Sequence, residues 1–226
     1  MRGVSGAQAN RVMENANPFR TPGVALLVVG LLDIGIMIYC IVNKLAYSSS
    51  LNIFAVIAGI LLIRGSVKTA RYTRWFIAFL LTGLIGFLLV VPFITPFDLL
   101  LIHIKTAPTI SFLFFILACV FLGTLFWVYR TLSSEPCLLA LEQGGFSREK
   151  PKSAFMAGLL ILVLLVGLTH ILRNGEAANK AIELAKRKID GDYKYFVSSI
   201  STRNKSGSAT VKAYNGNEVH EIEVDW

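Results

Sequence analysis

What most restricts the fold of this chain is a series of long apolar runs interrupted by short polar turns, beginning near Gly23 and ending near Leu172. A run of about twenty residues, rising roughly 1.5 Å per residue as an α-helix, covers the roughly 30 Å of a bilayer's hydrocarbon layer. Between the second and third runs lies Arg64-Gly-Ser-Val-Lys68-Thr-Ala-Arg71-Tyr-Thr-Arg74-Trp75, with four cations in eleven residues. The positive-inside rule assigns such a short loop to the cytoplasm, and so it sets the direction of every other crossing.

On this basis the expected fold class is a membrane all-α protein, a bundle of five transmembrane helices with its N-terminus inside and its C-terminus outside. The spans are expected at about 23–43, 51–67, 75–93, 109–129 and 155–172, within a bundle of residues 22–173 that follows a polar cytoplasmic arm of residues 1–21. The second run has only thirteen residues before Arg64, and it is expected to continue as a helix through Lys68 and Arg71, which share a face with Arg64. Thr95 as N-cap, Pro96 and Asp98 predict a short interfacial helix on the outer side, and Ser134 to Gly145 predicts one on the inner side. The inner segments then carry three, four and four Lys or Arg, against one in each outer loop (Lys44 and Lys105).

Composition enters in excluding other classes. Of the 226 residues 54% are hydrophobic and 16% charged, where a soluble domain carries roughly 25% charge. The net charge of +8 belongs to cations flanking apolar runs, so lipid headgroups and not nucleic acid are the expected counter-charge, taken by Arg64, Lys68, Arg71 and Arg74. Cys40, Cys119 and Cys137 have neither CxxC spacing nor a place in the tail, so neither a disulfide framework nor a thiolate metal site is expected.

Residues 174–226 are different material. Ala178, Ile182, Ala185 and Ile189 form one stripe of a helix that Asp190-Gly191-Asp192 ends. Three strands are predicted, at Tyr193 to Ile200, Ser208 to Tyr214 and Val219 to Trp226, the last two joined around Asn215-Gly216, a strong hairpin signal. Ile222, Val224 and Trp226 face one way in the last strand while Glu221, Glu223 and Asp225 face the other. A small α+β unit of about fifty residues is near the lower limit of independent stability, so it is expected to dock on the bundle or on a partner.

The order Glu176-Ala-Ala-Asn-Lys-Ala-Ile-Glu-Leu-Ala185 followed by strands closing on Glu221-Ile-Glu-Val-Asp225 resembles PepSY-type periplasmic modules. It is also similar to the small extramembrane domain of the cytochrome oxidase assembly factor family, without that family's Leu-Gly-x-Pro turn. The similarity covers under a quarter of the chain, and it implies a module that contacts another protein.

Candidate chemistry is sparse. Asp33 is the ionisable residue near the middle of a span, at a cost of about 2.5 to 3.5 kcal/mol on insertion scales that the surrounding Leu, Ile and Val can offset. It reads as a proton or cation relay, as the anchor of a partner helix, or as a structural carboxyl bonded to Tyr39, Thr82 or Ser111; Arg64 is a conceivable partner. Small residues at close-packing spacings mark helix-packing faces: Ala55 with Gly59, Gly83 with Gly86, and Gly30 and Gly35 on either side of Asp33. His103, His170 and His220 are scattered; His103, His170 and Asp98 could meet near the outer surface, but no metal site, cofactor or catalytic residue is assigned. The Asn204-Lys-Ser206 sequon carries meaning only in a eukaryotic secretory setting.

The function expected is that of a non-enzymatic accessory protein of a bacterial inner membrane. Its partners would be membrane lipids and either another membrane protein or a second copy, with the small module in the periplasm. Immunity against a membrane-acting toxin and ion-coupled transport through Asp33 are the alternatives.

Overall fold

A computed structural model describes residues 17–44, 52–189, 191–203, 206–216 and 218–226. The chain is mostly helical, with a small C-terminal antiparallel sheet. Its helices are α1 (Arg20–Val42), α2 (Asn52–Ile63), α3 (Val67–Ile94), α4 (Phe97–Thr106), α5 (Pro108–Leu132), α6 (Glu135–Gln143), α7 (Lys152–Asn174) and α8 (Glu176–Lys188). Three strands follow: β1 (Lys194–Arg203), β2 (Ser206–Tyr214) and β3 (Val219–Asp225). The N-terminal arm, the turn after Lys44, Asp190 and most of the sequon fall outside the described residues.

Helices α1, α3, α5 and α7 are long and apolar enough to cross a membrane. At most 17% of the apolar window of each is buried within the protein, a surface that lipid and not water must cover. Helix α2 has 12 residues, about 18 Å at the usual rise. The continuous helix expected through Lys68 and Arg71 is corrected. Gly65 adopts φ +79°, a left-handed conformation that glycine takes without strain, and α2 ends there. The Ser66 hydroxyl then accepts the Thr69 N–H at 3.3 Å, capping α3, whose first turns hold Lys68 and Arg71.

The chain divides into two compact units, one of residues 1–81 and 121–156, the other of residues 82–120 and 157–226. In the first, α1 and α2 pack closely and antiparallel. A Cβ on Gly23 would lie 2.9 Å from the Gly59 carbonyl oxygen and 3.0 Å from Ile63 N, while one on Gly59 would lie 2.8 Å from Leu27 N. At the open end of this pair the Asn17 side chain donates to the carbonyls of Leu62 (3.0 Å) and Ile63 (2.8 Å), which have no acceptor duty left inside α2. Helix α6 sits between Ser134 and Gly144 as its capping residues predict. Its buried Cys137 donates to the Pro18 carbonyl at 3.3 Å.

In the second unit the sheet runs β1-β2-β3. One face closes over α8, with Ala178, Ala181 and Ala185 against Val197, Val211, Ala213, Ile222 and Val224. Alanine on the helix lets it approach the sheet closely, and Glu176 in its first turn with Lys186, Arg187 and Lys188 in its last suit the helix dipole. On the other face, Tyr214 is buried with Leu99 and Ile102 of α4, and Phe196 and Val219 pack around them. The module is therefore docked on the chain's own short helix. Asp98 of α4 accepts from Lys194 at 2.5 Å, and Arg173 at the end of α7 lies 4.5 Å above the Phe196 ring while donating to the Ile94 carbonyl.

Candidate functional site

Helix α3 builds a strongly charged cavity. Along it Ala70, Thr73, Arg74, Ile77, Ala78 and Leu81 are buried, a stripe at helical spacing that carries Arg74 inward with its apolar neighbours. Arg74 is 5% exposed. Its Nε donates to the Ser133 hydroxyl at 3.1 Å and one Nη to the Arg148 carbonyl at 3.5 Å, with the Tyr129 phenol nearby. Among the described residues no carboxylate pairs with it. Of the four cations expected at lipid headgroups, Arg64, Lys68 and Arg71 are exposed, whereas Arg74 is buried and points into the protein.

The cavity beside it has a volume of about 630 Å³ and is lined by Arg71, Arg74, Lys150 and Lys152. Glu149 is the carboxylate in its lining. Arg71 also lies 4.9 Å from the Phe146 ring centre, and the Trp75 indole N–H donates to Ser153 at 2.9 Å, so an aromatic wall fixes the start of α7. Arg148 is turned away, paired with Glu142 at 3.1 Å.

A second cavity of about 440 Å³ lies between α4 and the sheet, lined by Asp98, Lys105, Asp192, Lys194 and Tyr214 among others. Its charges largely cancel. Next to it the hairpin carries a hydrogen-bonded set in which Tyr193 Oη donates to Glu218 Oε1 at 2.7 Å and Asn215 Nδ2 at 3.2 Å. These donors hold the Glu218 carboxyl below its ordinary pKa, with His220 adding to the effect. The same bond holds the Tyr193 phenol up, and the Asp98 carboxylate raises Lys194.

The other residues singled out in the sequence are distributed more widely. Asp33 is half-buried midway along α1, Gly30 is buried, and the Cβ positions of Gly35 and Gly83 open onto empty space. Gly59 packs on α1 one turn beyond Ala55, and a Cβ on Gly86 would collide with a Leu162 methyl of α7. Asp98 pairs with Lys194, His170 with Asn174 at 3.1 Å and His220 with Glu218 at 3.5 Å; the His103 side chain lies outside the described residues. Gly23, the backbone partner of Gly59, and the buried Arg74 were not foreseen. The signal for Arg74 was present, since Ala70, Ile77, Ala78 and Leu81 stand four before and three, four and seven after it.

Fold and apolar surface together define a multi-pass membrane protein with a small C-terminal sheet. No protein-family model matches the chain, and no curated protein or solved structure matches it.

Proposed function

We propose that this chain is a non-enzymatic accessory protein of a bacterial inner membrane, crossing it five times with its N-terminus inside. It binds another membrane protein and presents its C-terminal module in the periplasm. The observation that carries this reading is the seating of the sheet on α4 through Tyr214, Leu99 and Ile102. Helix α4 follows α3 at once and carries the sheet, so in this reading the two share one side of the membrane. Cation asymmetry assigns the Arg64 to Arg74 turn to the cytoplasm, and the reading takes the module to be outside.

The α1–α2 pair supports an odd number of crossings. Asn17 bonds the last carbonyls of α2, so the chain has returned by Ile63 to the level at which α1 began. Helix α2, about 18 Å long at the usual rise, forms the C-terminal part of that second crossing.

The surface the module offers follows from what covers it. Helix α8 takes one face and α4 the Phe196, Tyr214 and Val219 part of the other, which leaves Glu221, Glu223 and Asp225 exposed along the edge strand β3. An acidic edge of this kind suits a basic partner segment and discourages uncontrolled strand pairing. The protein-contacting role implied by the resemblance to PepSY-type modules is in keeping with it. A photoreactive residue replacing Glu223 in living cells, followed by purification in mild detergent, tests the reading. One membrane protein captured in stoichiometric amount, or a defined homo-oligomer, is the expected result. A monodisperse monomer without an adduct overturns it, as does a reporter fused after Trp226 that is active only in the cytosol.

A further inference from the structure

We propose that the cavity at the start of α3 is a binding site for a phosphate group, filled by the headgroup of an anionic phospholipid or by a free phosphate compound. The charge balance carries the argument. Four cations line the cavity against the Glu149 carboxylate, and the innermost, Arg74, is 5% exposed with only neutral oxygens as partners among the described residues. A buried guanidinium is costly without a counter-charge. Neither Arg71, Lys150 nor Lys152 is neutralised by a carboxylate among the described residues, so the site carries an excess of positive charge that an anion would balance.

The donors suit phosphate. Arg74 has guanidinium N–H groups beyond those engaged by Ser133, the Arg148 carbonyl and Tyr129, a planar set that matches phosphate oxygens. Lys150 enters from the α6–α7 loop and Lys152 from the first residue of α7 as compact charges, and the Ser147 hydroxyl stands at the same lining. A volume of about 630 Å³ lies within the range of small-molecule sites, roughly 300 to 1,000 Å³. The cavity also adjoins exposed aromatic side chains, Tyr72 and Trp75, of the kind that settle at headgroup level, which favours a lipid over a free ligand.

The test uses the full chain in nanodiscs, because the cavity is built from three helices and a loop. Wild-type protein in discs of zwitterionic lipid is titrated with short-chain phosphatidylglycerol, short-chain phosphatidylcholine, glycerol phosphate or inorganic phosphate, following Trp75 fluorescence. Saturable quenching or enhancement by phosphatidylglycerol alone assigns the site to a lipid, and by the soluble phosphates as well to the phosphate group itself. Lys150→Gln with Lys152→Gln should weaken binding about thirtyfold, each lysine near an anionic surface contributing roughly fivefold. Arg74→Gln should abolish it, and the loop variants keep the test valid if Arg74→Gln does not fold. Equal responses to zwitterionic and anionic short-chain lipid, or unchanged affinity in the double lysine variant, would overturn the proposal.

Discussion

Gly59 meets Gly23 across the α1–α2 pair so closely that a Cβ on Gly59 would lie 2.8 Å from the Gly23 carbonyl oxygen. The obstacle is backbone, which cannot rotate aside as a side chain can. Gly59→Ala should therefore separate the two helices and destabilise the protein by about 1 to 3 kcal/mol, the usual cost of overpacking. Gly83→Ala, where the added methyl meets open space, should be neutral or slightly stabilising, since alanine is the better helix former. Thermal unfolding in detergent, followed by circular dichroism, compares the two. Equal effects would mean that the close approach does not matter to stability.

Tyr214 is the plug between the sheet and α4. Tyr214→Ala should cost about 3 kcal/mol, as for other large buried side chains, and should loosen the sheet from α4 more than it unfolds the core formed with α8. Amide exchange would then rise first in α4 and at the Tyr214 end of β2, with Val211 and Val224 still protected. Uniform loss of protection across the sheet would contradict two independently packed faces.

The Glu218 cluster gives the module an acid-sensitive hairpin. The folded carboxyl titrates below its ordinary value because Tyr193 and Asn215 donate to it. A depressed carboxyl stabilises the fold above its ordinary pKa, near 4.3, and this contribution is lost as pH falls through the lowered folded value. Near-ultraviolet absorption of Tyr193, or NMR of the Asn215 side chain, should report loosening of the hairpin only on the acid side. In Glu218→Gln that pH dependence should vanish.

Cys137 is buried, bonded to Pro18, and its thiol is raised by burial. At neutral pH it should react with a soluble maleimide orders of magnitude more slowly than an exposed thiol, and promptly after denaturation. Mass spectrometry of the alkylated protein measures this, and rapid labelling of the folded protein would place α6 away from the start of α1.

Local signals in the sequence translated into structure where one segment decides the outcome. Ser134 and Gly144 bracket α6, Thr95 and Pro96 precede α4, the alanine stripe from Ala178 folds as α8, and Asn215-Gly216 joins β2 to β3. What escaped depends on pairs of segments. Gly23 matters only because Gly59 lies opposite, and nothing within either run announces the other. The β1 irregularity between Val197 and Ser199 arises where Ser198 and Ser199 bond across to Thr210, a choice made by the strand partner. Arg74 was assigned by its charge, whereas the apolar positions around it on the helix decided its direction. At Gly65 a single residue divides what hydropathy alone joins into one helix.

The sheet's support on Leu99 and Ile102 has a consequence for biosynthesis. The strands emerge from the ribosome roughly a hundred residues after the helix that receives them, so α4 stays uncovered while α5, α6, α7 and α8 are made. A product truncated before β2 would keep that apolar ledge bare, a ready mark for the proteases that police incomplete chains.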